Sequence, residues 1–213
     1  MRLNRPWFVT LALIASVVAV LPGAPASADR SGAEYLYAPT DPYLSQRVQE
    51  VTDTSDVLLA VEWEPTTNGV VDGVRICLDL TQQQVNNRLP LTGDLWTSDG
   101  DLLGVAGASE GITFTAPCFY DLTMNQVLVS AGQRYVVGVW VRGGQYSYVP
   151  GGFATGRSNC GHVTAPSNVD STVGSGNGLY AYTSDMGEAS PFPVDSWQDS
   201  DYLVSPRFTP FMP

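Results

Sequence analysis

The stretch RYVVGVWVR, Arg134–Arg142, decides the fold class. Tyr135, Val137, Val139 and Val141 fall on one side of an extended chain, and Arg134, Val136, Gly138, Trp140 and Arg142 on the other. A period of two with β-branched residues predicts a strand, because successive side chains point to opposite faces. The same period recurs upstream. In Val57–Glu64, Val57, Leu59, Val61 and Trp63 alternate with Leu58, Ala60, Glu62 and Glu64, which predicts an apolar face and one that turns polar. Val74–Leu80 alternates again, with Arg75, Cys77 and Asp79 opposite the apolar set.

Turn chemistry separates these runs. Asn68-Gly69 and Gly143-Gly144 follow two of them, and Asp99-Gly100 joins Asp94–Ser98 to Asp101–Ala106 as a tight hairpin. Short strands are expected over Ile112–Thr115, Cys118–Met124, Gln145–Val149, Leu179–Tyr182 and Tyr202–Phe208. No window carries the 3.6-residue period of a long amphipathic helix. Pro150 to Gly178 is the longest irregular stretch, read as either a functional loop or a mobile connection. The expectation is an all-β fold, an antiparallel β-sandwich of jelly-roll-like type.

Residues 1–28 read as a secretory signal of bacterial type. Arg2 and Arg5 precede an uncharged apolar stretch from Trp7 to Leu21, and Ala26-Ser27-Ala28 offers a small-x-small cleavage site. That stretch is shorter than the roughly 20 residues a spanning helix needs. Residues 29–213 are expected to form one sandwich domain, secreted, and either extracellular or associated with the cell wall. They hold 8 arginines and 21 acids, a formal net charge of −13, and the chain has no lysine. Such a charge argues against nucleic acid and anionic lipid as partners. Three pairings are open to Cys77, Cys118 and Cys160. Cys77–Cys118 is favoured, because one residue closes a strand and the other opens one, as antiparallel neighbours do.

Catalytic motifs are scarce. Gly107-Ala108-Ser109-Glu110-Gly111 has the G-x-S-x-G spacing of serine hydrolases, which requires a strand turning sharply into a helix. Here it leads into Ile112–Thr115 and Pro117, so a glycine-rich β–β loop is the stronger reading of Ser109. His162 is the sole histidine. Glu62 and Glu64 share a strand face and so do not flank a glycosidic bond from opposite sides; they read as a solvated strand end. Acids at Asp99/Asp101 and Asp199/Asp201 leave Ca²⁺ possible, without an EF-hand spacing, and no other cofactor is expected. Aromatic residues are the remaining signal. Trp96, Tyr146, Tyr148 and Trp197 are the candidate ligand-binding residues, and Tyr180 and Tyr182 share a strand face. Flat rings offer apolar area at little rotamer cost and stack on sugars.

The ordered stretches YLYAPTDP (Tyr35–Pro42), NGVVDGVRI (Asn68–Ile76), TGDLWTSDGDLLGVA (Thr92–Ala106), VSAGQRYVVGVW (Val129–Trp140), NGLYAY (Asn177–Tyr182) and FPVDSWQDSDYLV (Phe192–Val204) carry a resemblance. Together they resemble the secreted bacterial family known as domain of unknown function 4082. That resemblance implies a β-sandwich module of secreted or surface-attached proteins, often beside carbohydrate-active or adhesive domains, and implies no activity. This sequence departs from the pattern at Cys77 and Leu78, where an aromatic-basic pair is usual, and at Leu203 and Ser205, where tryptophan and aspartate are usual. The functional expectation is a non-catalytic module that binds a polysaccharide or cell-envelope glycan. The alternatives are a structural or protein-interaction domain at the cell surface, and a small hydrolase using Ser109.

Overall fold

A computed structural model describes residues 32–50, 52–81, 83–84, 91–107, 112–159, 161–182 and 191–211. The expected signal over residues 1–28, Ser109 and Cys160 lie outside the described residues. The strands are β1 (Val48–Gln49), β2 (Val57–Pro65), β3 (Gly69–Cys77), β4 (Thr92–Thr97), β5 (Leu102–Gly107), β6 (Ile112–Thr115), β7 (Phe119–Val129), β8 (Tyr135–Val141), β9 (Ser147–Tyr148), β10 (Arg157–Ser158), β11 (Val163–Ala165), β12 (Leu179–Tyr182), β13 (Asp195–Ser196) and β14 (Val204–Pro210).

Pairing is antiparallel throughout, along the path β10-β11-β2-β8-β4-β5-β7-β3-β14. The path curls where β5 meets β7 through the single pair Ala106↔Met124. This folds β3, β7 and β14 over β2, β8 and β4, giving the expected sandwich-like fold. The inward residues Val57, Leu59, Val61 and Trp63 of β2 share one core with Val71, Val74 and Ile76 of β3 and Phe208 of β14. Trp63 meets Phe208 across the two layers with ring centroids 5.9 Å apart. Turn predictions hold where φ demands glycine: Gly100 closes the β4–β5 hairpin at φ 94°, and Gly143 and Gly144 follow β8 at φ 68° and 57°.

One expectation is corrected. The second face of β2 does not turn polar to solvent. Leu58 and Ala60, with Val136 and Trp140 of β8, form a second cluster beneath Val173, Leu179 and Ala181. Each fully buried Leu or Val contributes about 1.5–3 kcal/mol, so covering this face is a large gain. The stretch after Pro150 supplies the cover and is neither featureless nor detached: it contains β10 and β11, then folds back over β2 and β8.

Glu62 is therefore a buried carboxylate, 0% exposed, and not a solvated strand end. It accepts from Ser171 Oγ at 2.6 Å, Thr172 N at 3.0 Å and Thr172 Oγ1 at 2.6 Å, with Arg134 at 3.4 Å. Burying a carboxylate is costly unless donors surround it, and here they come from the covering segment. Trp96 is corrected in the same way. It is 2% exposed in the second cluster, edge-on to Phe192 at 6.0 Å, and offers no face to a ligand.

Candidate functional site: an aromatic cleft at the open side of the sandwich

β12 adds to the first half of β2, with Leu179↔Ala60, Tyr180↔Leu59, Ala181↔Leu58 and Tyr182↔Val57. Leu179 and Ala181 turn outward into the second cluster. The alternation leaves Tyr180 and Tyr182 on the inner face, continuing the row of Leu59 and Val57. At this side the sandwich is open, and the inner surface becomes the wall of a cleft of about 390 Å³. Tyr146, Tyr180, Tyr182, Trp197 and Tyr202 line it, with Glu50, Thr52 and Asp53 at the rim and Val57 and Leu59 within. Pockets of about 300–1,000 Å³ hold small ligands or sugar units.

The rings form one connected set. Tyr180 meets Tyr182 at 5.6 Å and Tyr202 at 6.4 Å; Tyr146 meets Tyr202 at 5.7 Å and Tyr148 at 6.2 Å; Tyr148 meets Trp197 at 5.8 Å. Most are edge-to-face, the arrangement that ring quadrupoles favour. Tyr202 is the floor at 3% exposure and Trp197 the lip at 43%. Three of the four candidates read from the sequence thus converge, since Tyr148 braces Trp197. Trp96 lies apart, in the other cluster. Tyr202, Glu50 and Asp53 went unnoticed in the sequence; the repeated Tyr-x-Tyr of residues 146–148 and 180–182 was the available signal.

Two local devices shape the cleft. At the rim, Glu50 Oε1 accepts from Thr52 N at 2.6 Å and Asp53 N at 3.2 Å, which tightens the turn into β2. Asp53 Oδ1 accepts from Ser55 N at 2.9 Å, and Asp53 Oδ2 accepts from the Tyr182 hydroxyl at 3.1 Å. Burial, then the bond to Asp53 and the charges of Asp53 and Glu50, push the Tyr182 hydroxyl up to about 12. Burial, Tyr182 and the same two carboxylates raise Tyr146. These phenols stay neutral at physiological pH, inside a negative field.

Beneath the floor, Asp201 fixes how the segments meet. Its Oδ1 accepts from the Tyr37 hydroxyl at 2.7 Å and from Leu203 N at 2.8 Å, and its Oδ2 from the Tyr43 hydroxyl at 2.9 Å. The Arg157 guanidinium lies 3.4 Å above the Tyr43 ring. Backbone bonds run both ways between Asp201 and Val149, at 2.8 and 3.0 Å. They place Tyr146 and Tyr148 beside Tyr202 and Trp197. Asp201 is thus committed to hydroxyl and amide donors. Among the described residues no three His, Cys, Asp or Glu side chains gather as metal ligands would. His162 Nδ1 sits 2.8 Å from Glu34 Oε1, near the other end of β2, where Thr66 N bonds His162 O.

Cys77 at the end of β3 is bonded to Cys118, just before β7, with Cα atoms 4.8 Å apart. Cys77, Leu78, Leu203 and Ser205 are all buried, and Cys77 N donates to Leu203 O at 3.2 Å. Ser205 Oγ accepts from Leu36 N at 2.8 Å. These positions are core in this chain.

Fold and cleft together define a disulfide-linked antiparallel β-sandwich with a tyrosine-rich cleft at its open side. The chain belongs to the family described as Domain of unknown function (DUF4082), which matches residues 44–204. No curated protein and no solved structure matches it.

Proposed function

We propose that this is an exported, non-catalytic module that holds a polysaccharide or cell-envelope glycan in the aromatic cleft. The observation that carries this reading is the convergence of Tyr146, Tyr180, Tyr182, Trp197 and Tyr202 around one cavity. Ring faces stack on the C–H faces of sugars, while the Tyr hydroxyls, Thr52, Asp53 and Glu50 supply hydrogen-bonding partners for sugar hydroxyls. Secretion rests on the signal-like residues 1–28 and agrees with a disulfide, which persists in oxidising compartments.

The test is depletion of the purified protein by insoluble polysaccharides and isolated cell walls, with and without EDTA. Selective depletion by one material, lost in Trp197→Ala with Tyr180→Ala, is the expected result. EDTA sensitivity would add Ca²⁺ to the site. Depletion by none, or depletion unchanged in the double variant, overturns the reading.

A second reading, a protein-interaction domain at the cell surface, has its own support. Leu102, Val105, Phe114 and Leu128, on β5, β6 and β7, are all exposed apolar side chains. Apolar side chains open to solvent can serve an interaction surface.

A further inference from the structure

The cleft combines two features that select the same chemical group. Its walls are ring faces, whose quadrupoles attract a cation. Its rim carries the carboxylates of Glu50 and Asp53, and among the described residues no basic side chain lines it. The segments that build it are consistent in charge. Their described residues, 50, 52–57, 143–150, 180–182 and 191–202, contain six acids and no arginine, lysine or histidine. Of the flanking arginines, Arg47 is held by Asp79 at 2.6 Å, and Arg142 lies at the end of β8 beyond the lining. Anionic glycans face repulsion here, and neutral ones gain hydrogen bonds from the carboxylates but no charge attraction.

We infer that the cleft takes a glycan bearing free ammonium groups, an unacetylated 2-amino sugar polymer, with an ammonium placed between the tyrosine faces and the Asp53 and Glu50 carboxylates. This rests on the glycan-binding reading and narrows it to a substrate class. A charged hydrogen bond and a cation–π contact made together are enough for an order-of-magnitude preference, which corresponds to about 1.4 kcal/mol.

The test is calorimetric titration of the purified protein with three soluble oligomers of equal length: glucosamine, N-acetylglucosamine and glucose. The glucosamine oligomer is expected to bind at least tenfold more tightly than the other two. Asp53→Asn with Glu50→Gln should bring the three within about twofold, because the amide oxygens keep the bonds to Ser55 N and Thr52 N while the charge is removed. Asp99→Asn with Asp101→Asn removes the same charge at the β4–β5 turn, beside the opposite end of β2 and β8, and should leave the preference intact. A preference that falls equally in both double variants reflects net charge alone and overturns the inference. Equal binding of all three oligomers, abolished by Trp197→Ala with Tyr180→Ala, overturns it while the glycan reading stands. Binding of none defeats both.

Discussion

Asn177 completes on the backbone of Glu62 the ladder that β12 and β11 leave open. β12 pairs with β2 as far as Ala60 and β11 resumes at Glu64. Between them Asn177 Oδ1 accepts from Glu62 N at 2.9 Å, and Asn177 Nδ2 donates to Glu62 O at 3.0 Å and Pro166 O at 2.9 Å. Asn177→Ala leaves these buried backbone groups of Glu62 unpaired, at about 1–3 kcal/mol each. Urea unfolding should show a loss of that size with an unchanged m-value. A loss below about 0.5 kcal/mol would mean that the covering segment contributes little.

The two candidate tryptophans should separate cleanly. Trp96→Ala opens the second cluster and should cost about 3–5 kcal/mol of stability. Trp197→Ala removes an exposed lip and one ring pair, about 0.5–1.5 kcal/mol, yet should abolish depletion by the glycan. Denaturation and depletion measured on both variants check this. Equal effects on both measurements would contradict the assignment of floor, lip and core.

The Cys77–Cys118 bond closes a loop of 41 residues that includes β4, β5 and β6. Constraining a loop of that length in the unfolded chain is worth about 4 kcal/mol in the chain-entropy account, and removal of native bonds costs about 2–5. Cys77→Ser with Cys118→Ser should lower the melting temperature substantially. A reducing agent should mimic the variant in the parent protein and leave the variant itself unchanged.

Asp201 gives the stability a definite pH trend. Burial raises its carboxyl pKa, against the opposing hydrogen bonds from Tyr37, Leu203 and Tyr43 and the charge of Arg157. The folded chain therefore keeps a proton that the unfolded chain has released, and this group's contribution is present at low pH and lost as pH rises. Asp201→Asn removes the titration. From about pH 4, the ordinary carboxyl value, to about pH 7, the stability difference should shift in favour of the variant. Denaturant titrations of both proteins at the two pH values decide it; a shift toward the parent would reverse the sign and refute the argument.

Gly144 couples the β8–β9 turn to the rim. It has φ 57°, and a side chain there would run into the carbonyl of Asp53. Gly144→Ala should cost more than about 1 kcal/mol and weaken glycan binding together with stability. Loss of stability with full binding would show that the rim tolerates displacement.

The strands were legible because the period of two survives in Val57–Glu64 and Arg134–Arg142, and because Asp99-Gly100 and Gly143-Gly144 permit few backbone conformations. The fate of the second face was not legible. Alternation sorts residues onto two sides but is silent on what arrives to cover each. Glu62 looked solvated because Ser171 and Thr172 lie more than a hundred positions away. Trp96 looked exposed because Phe192 and Val173 lie 96 and 77 positions further along the chain. Within the cleft, Tyr-x-Tyr at 146–148 and 180–182 announced tyrosine faces. Tyr202, followed directly by the buried Leu203, carried no mark of its place in the floor.

The open side has one more consequence. Tyr180 and Tyr182 belong to the layer of β2, whereas Tyr202 leads into β14 of the other. Whatever occupies the cleft rests on both layers at once and becomes a tie between them, lost when they part. At a hundred times its dissociation constant, such a guest adds about 2.7 kcal/mol to the free energy of unfolding. The melting curve of the protein thereby becomes a reporter of occupancy, able to rank candidate guests without any assay of what they do.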